Sequence, residues 1–165
     1  MLRRLAVFVA LAASLVFATG GLFDPKPSKL TVNLIGGAGM NPGPNGGDRP
    51  VVVMIYRLKS TGAFQQADYF ALEGNAAGTL GGDLLGMDSV AVGPGRRASQ
   101  NITVEVEAAA LGFVAFVREP ASRRWKSTLP ISPGSNLTIN VGLGKGGISI
   151  SSRKNGIFSS SEGGQ

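Results

Sequence analysis

Polar and apolar residues alternate in short runs along this chain, as they do in β-strands. The segment from Leu30 to Leu34 alternates cleanly, and the same pattern recurs over residues 101–107, 136–141 and 148–150. A period of two places one side-chain face on a core and the other in solvent. These segments are therefore predicted to be strands with one buried face.

Two other segments, Val51 to Leu58 and Leu111 to Arg118, are apolar on both faces. A strand without a polar face lies in the middle of a sheet that is covered on both sides. Both segments are therefore predicted to be central strands, either side by side or in different sheets. Phe64 and Phe70 follow the first of them and are predicted to join its core.

Helices are predicted at two places. A helical turn from Ser60 to Ala67 would cover part of the outer face of the first central strand, and a second helix, weakened by glycines, would lie within Asn75 to Leu85 behind a cap at Thr79. Asp68 to Leu72, between them, has a strand-like pattern. The pattern of about eight or nine short strands, with turn signals between them, predicts an all-β sandwich of two antiparallel sheets with a short added helix.

The two ends of the chain differ in composition from its middle. Residues 1–20 consist of two arginines, an apolar run and small residues, in the order found in a secretory signal peptide. The apolar run is shorter than the roughly 20 residues that span a bilayer, so a permanent transmembrane helix is the weaker interpretation. We predict that residues 21–28 form an extended tether, that residues 29–151 form the sandwich domain and that residues 152–165 form a disordered tail. The mature domain is expected outside the inner membrane.

Cysteine and histidine are both absent from the 165 residues. This excludes disulfides, thiol and imidazole catalysis, and metal sites built from those side chains. No nucleophile and base stand out, so a hydrolase is the weakest hypothesis, and no cofactor is predicted. The net charge of +6 falls to +4 without residues 1–20, which hold two arginines and no acid. So mild and scattered an excess does not indicate nucleic-acid binding.

Two motifs favour a structural interpretation over a chemical one. Glycines at residues 142–147 match a phosphate-binding pattern, but the motif is followed by strand alternation instead of a helix, so a hairpin turn is predicted. The acidic pairs Asp83 with Asp88 and Glu105 with Glu107 have no partner residue for acid–base work and are predicted to be solvated surface.

A cationic cluster surrounds the single tryptophan. Arg118, Arg123, Arg124 and Lys126 lie close to Trp125 in the sequence. Such a mixture is typical of contact with a membrane surface, although packing of Trp125 at the edge of the sandwich is favoured. The alternative function is therefore a periplasmic β-sandwich module that binds a small ligand or an anionic membrane surface.

The connection from Gly36 to Arg49 is longer than most hairpin loops and is rich in glycine and proline. Long loops on compact domains are usually functional or disordered. This loop offers no catalytic group, so contact with another protein is the function it indicates. Pro42 and Pro44 would lower the entropy cost of ordering the loop on binding.

Several motifs carry a family resemblance. Asn41-Pro42 precedes the block Arg49-Pro50-Val51-Val52-Val53-Met54-Ile55-Tyr56-Arg57-Leu58-Lys59, which is followed by Phe64 and then by Ala67-Asp68-Tyr69-Phe70-Ala71-Leu72. Weaker matches are Asp83-Leu84-Leu85, Pro94-Gly95, Leu111 to Arg118, Trp125 and Asn136-Leu137-Thr138-Ile139. In these motifs the chain, over about residues 29–151, resembles the type VI secretion outer-membrane lipoprotein family, TssJ.

This resemblance implies a transthyretin-like sandwich and a structural, non-enzymatic role. It implies a position at the inner leaflet of the outer membrane and binding to the C-terminal periplasmic region of the inner-membrane protein TssM, within the envelope-spanning complex on which the contractile apparatus docks. The family's partner-binding loop corresponds to Gly36 through Arg49, where Asn41 and Pro42 match the pattern. The other candidate contact residues are carried over by position: Gly37, Met40, Pro44, Asn45, Asp48 and Arg49.

One feature departs from the family pattern. Family members carry a lipidated cysteine just after the signal peptide, and the segment from Phe17 to Gly21 resembles that region without any cysteine. Lipidation is therefore excluded for the sequence as written. Either the start codon or the sequence of the working protein differs, or a soluble or partner-tethered form suffices. In both cases we expect a periplasmic, outer-membrane-associated protein.

Overall fold

Eight strands and two α-helices form within residues 24–156, the part of the chain that this computed structural model describes. In chain order they are β1 (Ser28–Gly36), β2 (Val51–Leu58), α1 (Gly62–Gln66), α2 (Tyr69–Leu80), β3 (Leu84–Val92), β4 (Arg97–Val104), β5 (Ala110–Phe116), β6 (Lys126–Pro130), β7 (Asn136–Gly144) and β8 (Gly147–Lys154). The predicted signal peptide lies outside the described residues, as does the predicted tail from residue 157 onward. In the described range, no helix is long and apolar enough to cross a membrane.

The strands build two four-stranded sheets that pack face to face. The first sheet has the order β4-β1-β7-β8 and the second the order β3-β2-β5-β6. Neighbouring strands are antiparallel except for β1 and β7, which are parallel. The predicted all-β sandwich with a small helical addition is confirmed, and the two predicted central strands lie side by side as β2 and β5.

The main core lies between the sheets and follows the alternation of the sequence. Leu30, Val32 and Leu34 of β1 face Val53 and Ile55 of β2, and each is at most 1% exposed. Burying a large aliphatic side chain contributes about 1.5–3 kcal/mol. This core therefore holds the fold together without disulfides, as the composition requires.

A second, smaller core covers the outer face of β2. Tyr56 and Leu58 are fully buried there beneath Phe64 of α1. Val52, on the same face but beyond the helices, is 42% exposed. The prediction that β2 is covered on both sides therefore holds only for the half of the strand that lies under the helices.

The prediction of a strand over Asp68 to Leu72 is wrong, because this segment begins α2. The carboxylate of Asp68 accepts a hydrogen bond of 2.8 Å from the backbone N–H of Ala71, which is a helix N-cap. Tyr69 and Leu72 share one face at a spacing of three and are buried. Phe70 lies on the other face and is 72% exposed, so its predicted place in the core is also wrong.

The second predicted helix starts earlier than expected and is interrupted. Its φ/ψ values leave the helical region at Asn75, whose side-chain oxygen accepts from the backbone N–H of Gly78 at 3.0 Å. Thr79 is therefore not a cap: it lies inside the helix and its hydroxyl donates to the carbonyl oxygen of Asn75 at 2.8 Å. Leu84 belongs to β3 instead of the helix.

The last strand joins the two sheets along one side of the sandwich. The backbone N–H of Arg124 donates to the carbonyl of Gly146 at 3.1 Å, and the N–H of Ile148 donates to the carbonyl of Arg124 at 2.7 Å. The glycine motif at residues 142–147 forms the β7–β8 hairpin, as predicted. β8 continues through Lys154, three residues beyond the predicted domain boundary.

Candidate partner-binding loop

The carboxylate of Asp48 organises the connection between β1 and β2. Its two oxygens accept hydrogen bonds from the backbone N–H groups of Gly39, at 2.7 Å, and of Asn41, at 3.1 Å. Pro42 and Asp48 also face each other as an isolated antiparallel bridge. Hydrogen bonds to an ionised carboxylate are stronger than those between neutral groups. The loop is therefore closed on itself at its base.

Asn41 joins this base to the end of β5. Asn41 is only 6% exposed. Its Oδ1 accepts a hydrogen bond from the backbone N–H of Arg118 at 3.0 Å, and its Nδ2 donates to the carbonyl of Pro50 at 3.4 Å. Its own carbonyl accepts from the N–H of Arg49 at 2.9 Å. A buried amide needs such partners because burying it unpaired is costly. Asn41 thus positions the loop from within.

Two arginines hold the same base from outside. Arg118 Nη1 donates to the carbonyl of Pro42 at 3.2 Å, and Arg123 Nη1 donates to the carbonyls of Gly39 and Met40, both at 3.0 Å. The sequence interpretation placed both arginines in a cluster around Trp125 and missed this role. The contacts join residues 76 to 84 positions apart, so no local pattern could reveal them.

Apolar and backbone contacts complete the base. Met40 is 1% exposed and belongs to the main core. Gly36 lies so close to the turn after β3 that a Cβ atom there would be 2.2 Å from the carbonyl oxygen of Gly93. The N–H of Gly37 donates to the carbonyl of Leu143 at 2.7 Å. Three neighbouring parts of the fold therefore fix where the loop begins.

The tip of the loop is a small polar turn. The N–H of Gly43 donates to the carbonyl of Gly47 at 2.7 Å, and the N–H of Gly46 donates to the carbonyl of Gly43 at 3.0 Å. Gly46 has a φ of +83°, in the left-handed region that favours glycine. Pro44 and Asn45 lie between these hydrogen-bonded glycines and are exposed to solvent. An exposed tip thus stands on a fixed base.

The candidate contact residues fall into two groups in the structure. The exposed group, whose side chains are available to a partner, is Pro44, Asn45 and Arg49. The buried or half-buried group, which shapes the loop, is Gly37, Met40, Asn41, Pro42 and Asp48. All the candidates lie in one loop, but only the first group presents its side chains to solvent.

The cationic cluster around Trp125 is divided, because Arg123 and Lys126 donate to backbone carbonyls while Arg118 and Arg124 are exposed. Lys126 Nζ donates to three carbonyl groups at the end of α1, at distances of 2.7–3.0 Å, and burial lowers its pKa, while the nearby Asp68 carboxylate acts in the opposite direction. The ring of Trp125 is half-buried and packs edge-on against Tyr69, with ring centroids 5.2 Å apart. Trp125 therefore packs at the sandwich edge, as favoured from the sequence.

The acidic residues considered for chemistry are partly engaged in ion pairs. Arg57, on β2, contacts the carboxylate of Asp88, and its Nε lies 3.1 Å from Glu105. The interpretation of these two carboxylates as free, solvated surface is therefore wrong, because the guanidinium of Arg57 lies between them. This arrangement links β3 to the end of β4 and leaves both carboxylates in a structural role.

Comparison with known proteins agrees with this architecture. The family model described as "Type VI secretion lipoprotein, VasD, EvfM, TssJ, VC_A0113" matches residues 28–146. No curated protein matches the chain. The chain in the crystal structure of the type VI lipoprotein TssJ1 from Pseudomonas aeruginosa has 33% sequence identity to this chain. The two structures match with a TM-score of 0.72, over 79% of this chain and 99% of that one.

Two further solved structures contain chains that are similar to this one over nearly their full length. A chain from a structure described as a type VI membrane complex is 23% identical, with a TM-score of 0.65, over 74% of this chain and 97% of that one. A chain from a structure described as the TssM C-terminal domain from EAEC is 25% identical, with a TM-score of 0.60, over 74% and 97%. The protein therefore belongs to the type VI secretion lipoprotein family that includes TssJ.

Proposed function

We propose that this protein is a non-enzymatic adaptor of a type VI secretion membrane complex, held at the outer membrane on its periplasmic side. In this proposal the loop from Gly36 to Arg49 binds the C-terminal periplasmic region of TssM. The alternative, a small-ligand or membrane-binding module centred on Trp125, is less well supported, because the ammonium group of the neighbouring Lys126 donates to three carbonyl groups at the end of α1.

The observation that carries the proposal is the division of the loop into a fixed base and an exposed tip. Asp48, Asn41, Arg118 and Arg123 hold the base through hydrogen bonds of 2.7–3.2 Å. A loop that is already ordered loses less conformational entropy when a partner binds. A rigid scaffold that presents small exposed residues on a loop is a common arrangement for recognition.

The comparisons support the choice of partner. The similar chains come from structures described as a type VI membrane complex and as the TssM C-terminal domain. Family membership supports an envelope location, because the family is described as a secretion lipoprotein. The adaptor role is further supported by the carboxylates Asp48, Asp88 and Glu105, which are engaged in structural contacts.

The test is a binding measurement between the full chain and the C-terminal periplasmic region of TssM from the same secretion system. A variant with Pro44→Ala, Asn45→Ala and Arg49→Ala removes the exposed side chains and leaves the base intact. We expect its affinity to fall by at least about tenfold, which is the loss of one or two interface residues of about 1–2 kcal/mol each.

The matched control carries Pro133→Ala and Lys59→Ala, two exposed residues beyond the opposite ends of the strands. Its affinity should equal that of the wild type. The assignment of the loop is refuted if the two variants bind TssM equally well while both unfold at the wild-type temperature. If the wild-type chain does not bind TssM at all, the adaptor proposal itself fails.

A further inference from the structure

The end of the sandwich that carries the loop also collects basic residues. Four connections meet there: residues 36–50, 93–97, 117–125 and 144–147. Together they contain seven basic residues and two acidic ones, Asp48 and Glu119. Their net charge of +5 compares with +4 for the chain without residues 1–20, so the excess positive charge of the domain lies at this end.

Backbone contacts bring the four connections together. The N–H of Gly36 donates to the carbonyl of Arg96 at 3.0 Å, which joins the loop to the turn before β4. The side chain of Lys145, in the β7–β8 hairpin, lies beside Gly39, where an added Cβ would be 3.1 Å from the Cβ of Lys145. Arg124 is bonded to the same hairpin through Gly146.

Six of the basic residues are exposed around the loop, and we call them the basic ring: Arg49, Arg96, Arg97, Arg118, Arg124 and Lys145. The ion pairs within residues 24–156 are those that Arg57 makes with Asp88 and Glu105. Of the two acids in these connections, Asp48 already accepts two backbone hydrogen bonds. The charge of the ring is therefore not compensated by ion pairs within the described part of the chain.

We propose that the basic ring receives an acidic protein surface, and that the loop tip binds at the centre of the same contact. The inference rests on the proposed function, since it assigns an acidic docking surface to the C-terminal periplasmic region of TssM. Clustered charges of one sign attract an oppositely charged surface over several ångströms and raise the rate of association. Five of the six ring residues are arginines, whose guanidinium groups bind carboxylates with two parallel hydrogen bonds.

The exposed residues at the loop tip favour a protein over a lipid bilayer. Pro44, Asn45, Gly46 and Gly47 offer a polar amide and backbone groups but no large apolar side chain. Peripheral membrane binding combines cations with apolar side chains that enter the bilayer. An amide and free backbone groups instead match the hydrogen-bonding rim of a protein interface.

The experiment measures the affinity and association rate of the full chain for the TssM region at about 50 mM and about 400 mM salt, where charge screening differs strongly. The test variant carries Arg96→Glu, Arg97→Glu and Lys145→Glu, three exposed ring residues outside the loop. The control carries Lys26→Glu, Lys29→Glu and Lys59→Glu, which change the net charge equally. Lys29, the second residue of β1, and Lys59, the residue after β2, lie at the end of the sandwich opposite the loop.

We expect the ring variant to bind at least about tenfold more weakly at low salt, mainly through slower association, while the control stays within about twofold of the wild type. High salt should weaken the wild type and abolish the difference. Thermal unfolding of both variants shows whether each is folded.

Two results overturn the ring proposal and leave the loop proposal standing. One is a ring variant that binds TssM as the control does, while the loop-tip variant loses binding. The other is binding of the wild type to vesicles that contain anionic phospholipid, lost in the ring variant without any change in TssM affinity. Absence of TssM binding by the wild-type chain removes both proposals together.

Discussion

Asn41 should contribute far more to stability than its small size suggests. Replacing it with alanine removes the acceptor of the Arg118 N–H, a bond of 3.0 Å, and the donor to Pro50, a long bond of 3.4 Å. A buried donor left without an acceptor costs about 1–3 kcal/mol. The longer bond contributes little, and the lost side-chain volume adds a small cavity cost. We expect the free energy of unfolding of Asn41→Ala to fall by about 2 kcal/mol.

Urea unfolding followed by the fluorescence of Trp125, the single tryptophan, measures this loss. Asn45→Ala is the matched control, since the same side chain at the exposed tip should change stability by no more than about 0.5 kcal/mol. Asn41→Ala should also weaken TssM binding, because the loop base is no longer fixed. The reasoning is refuted if Asn41→Ala is as stable as Asn45→Ala with an unchanged denaturant slope.

Three further substitutions test the packing of the outer layer. Tyr56→Phe should stabilise the fold by about 1 kcal/mol, because the buried hydroxyl has no hydrogen-bond partner within residues 24–156. Burial also raises the pKa of Tyr56 to about 12, so the folded chain keeps a proton that the unfolded chain loses above pH 10. The stability of the wild type should therefore decline as the pH rises from 10 to 12, and that of Tyr56→Phe should decline less steeply. Urea unfolding at each pH would measure both. Gly112→Ala should lower stability by about 1–3 kcal/mol, since the new Cβ would lie 2.7 Å from the ring of Phe64. Gly47→Ala is its control in thermal unfolding, because the added Cβ would lie in open space there. Lys126→Met should cost about 2 kcal/mol by leaving three carbonyls at the end of α1 without their donor, and circular dichroism should show a wild-type fold with a lower Tm.

The sandwich could be predicted from the sequence because alternation is a local signal. Residues 30–34 and 136–141 lie in strands with the predicted buried faces, and the doubly apolar segments became the adjacent central strands β2 and β5. The strand predicted over residues 101–107 has the predicted buried face but ends at Val104. The segment from Asp68 to Leu72 was misassigned because five residues fit either period. Its N-cap bond from Ala71 to Asp68 decides for helix.

The candidate loop could be located from the sequence but not divided into base and tip. Its length and its glycine and proline content are local features, and so is the exposure of Pro44 and Asn45. The clamps from Arg118 and Arg123 come from more than 70 positions away. A pattern within one segment cannot show which distant donor will fill its carbonyls.

The position of β1 sets the order in which this chain can fold. β1 is the first described strand in the sequence, yet it lies between β4 and β7, and its contacts from Thr31 to Asn101 and from Asn33 to Asn140 span 70 and 107 positions. Closing such long loops is slow. The second sheet, by contrast, pairs strands that are closer in sequence. A chain that emerges with its N-terminus first must keep β1 unpaired on one side until residue 136 has followed, so its first sheet is completed last.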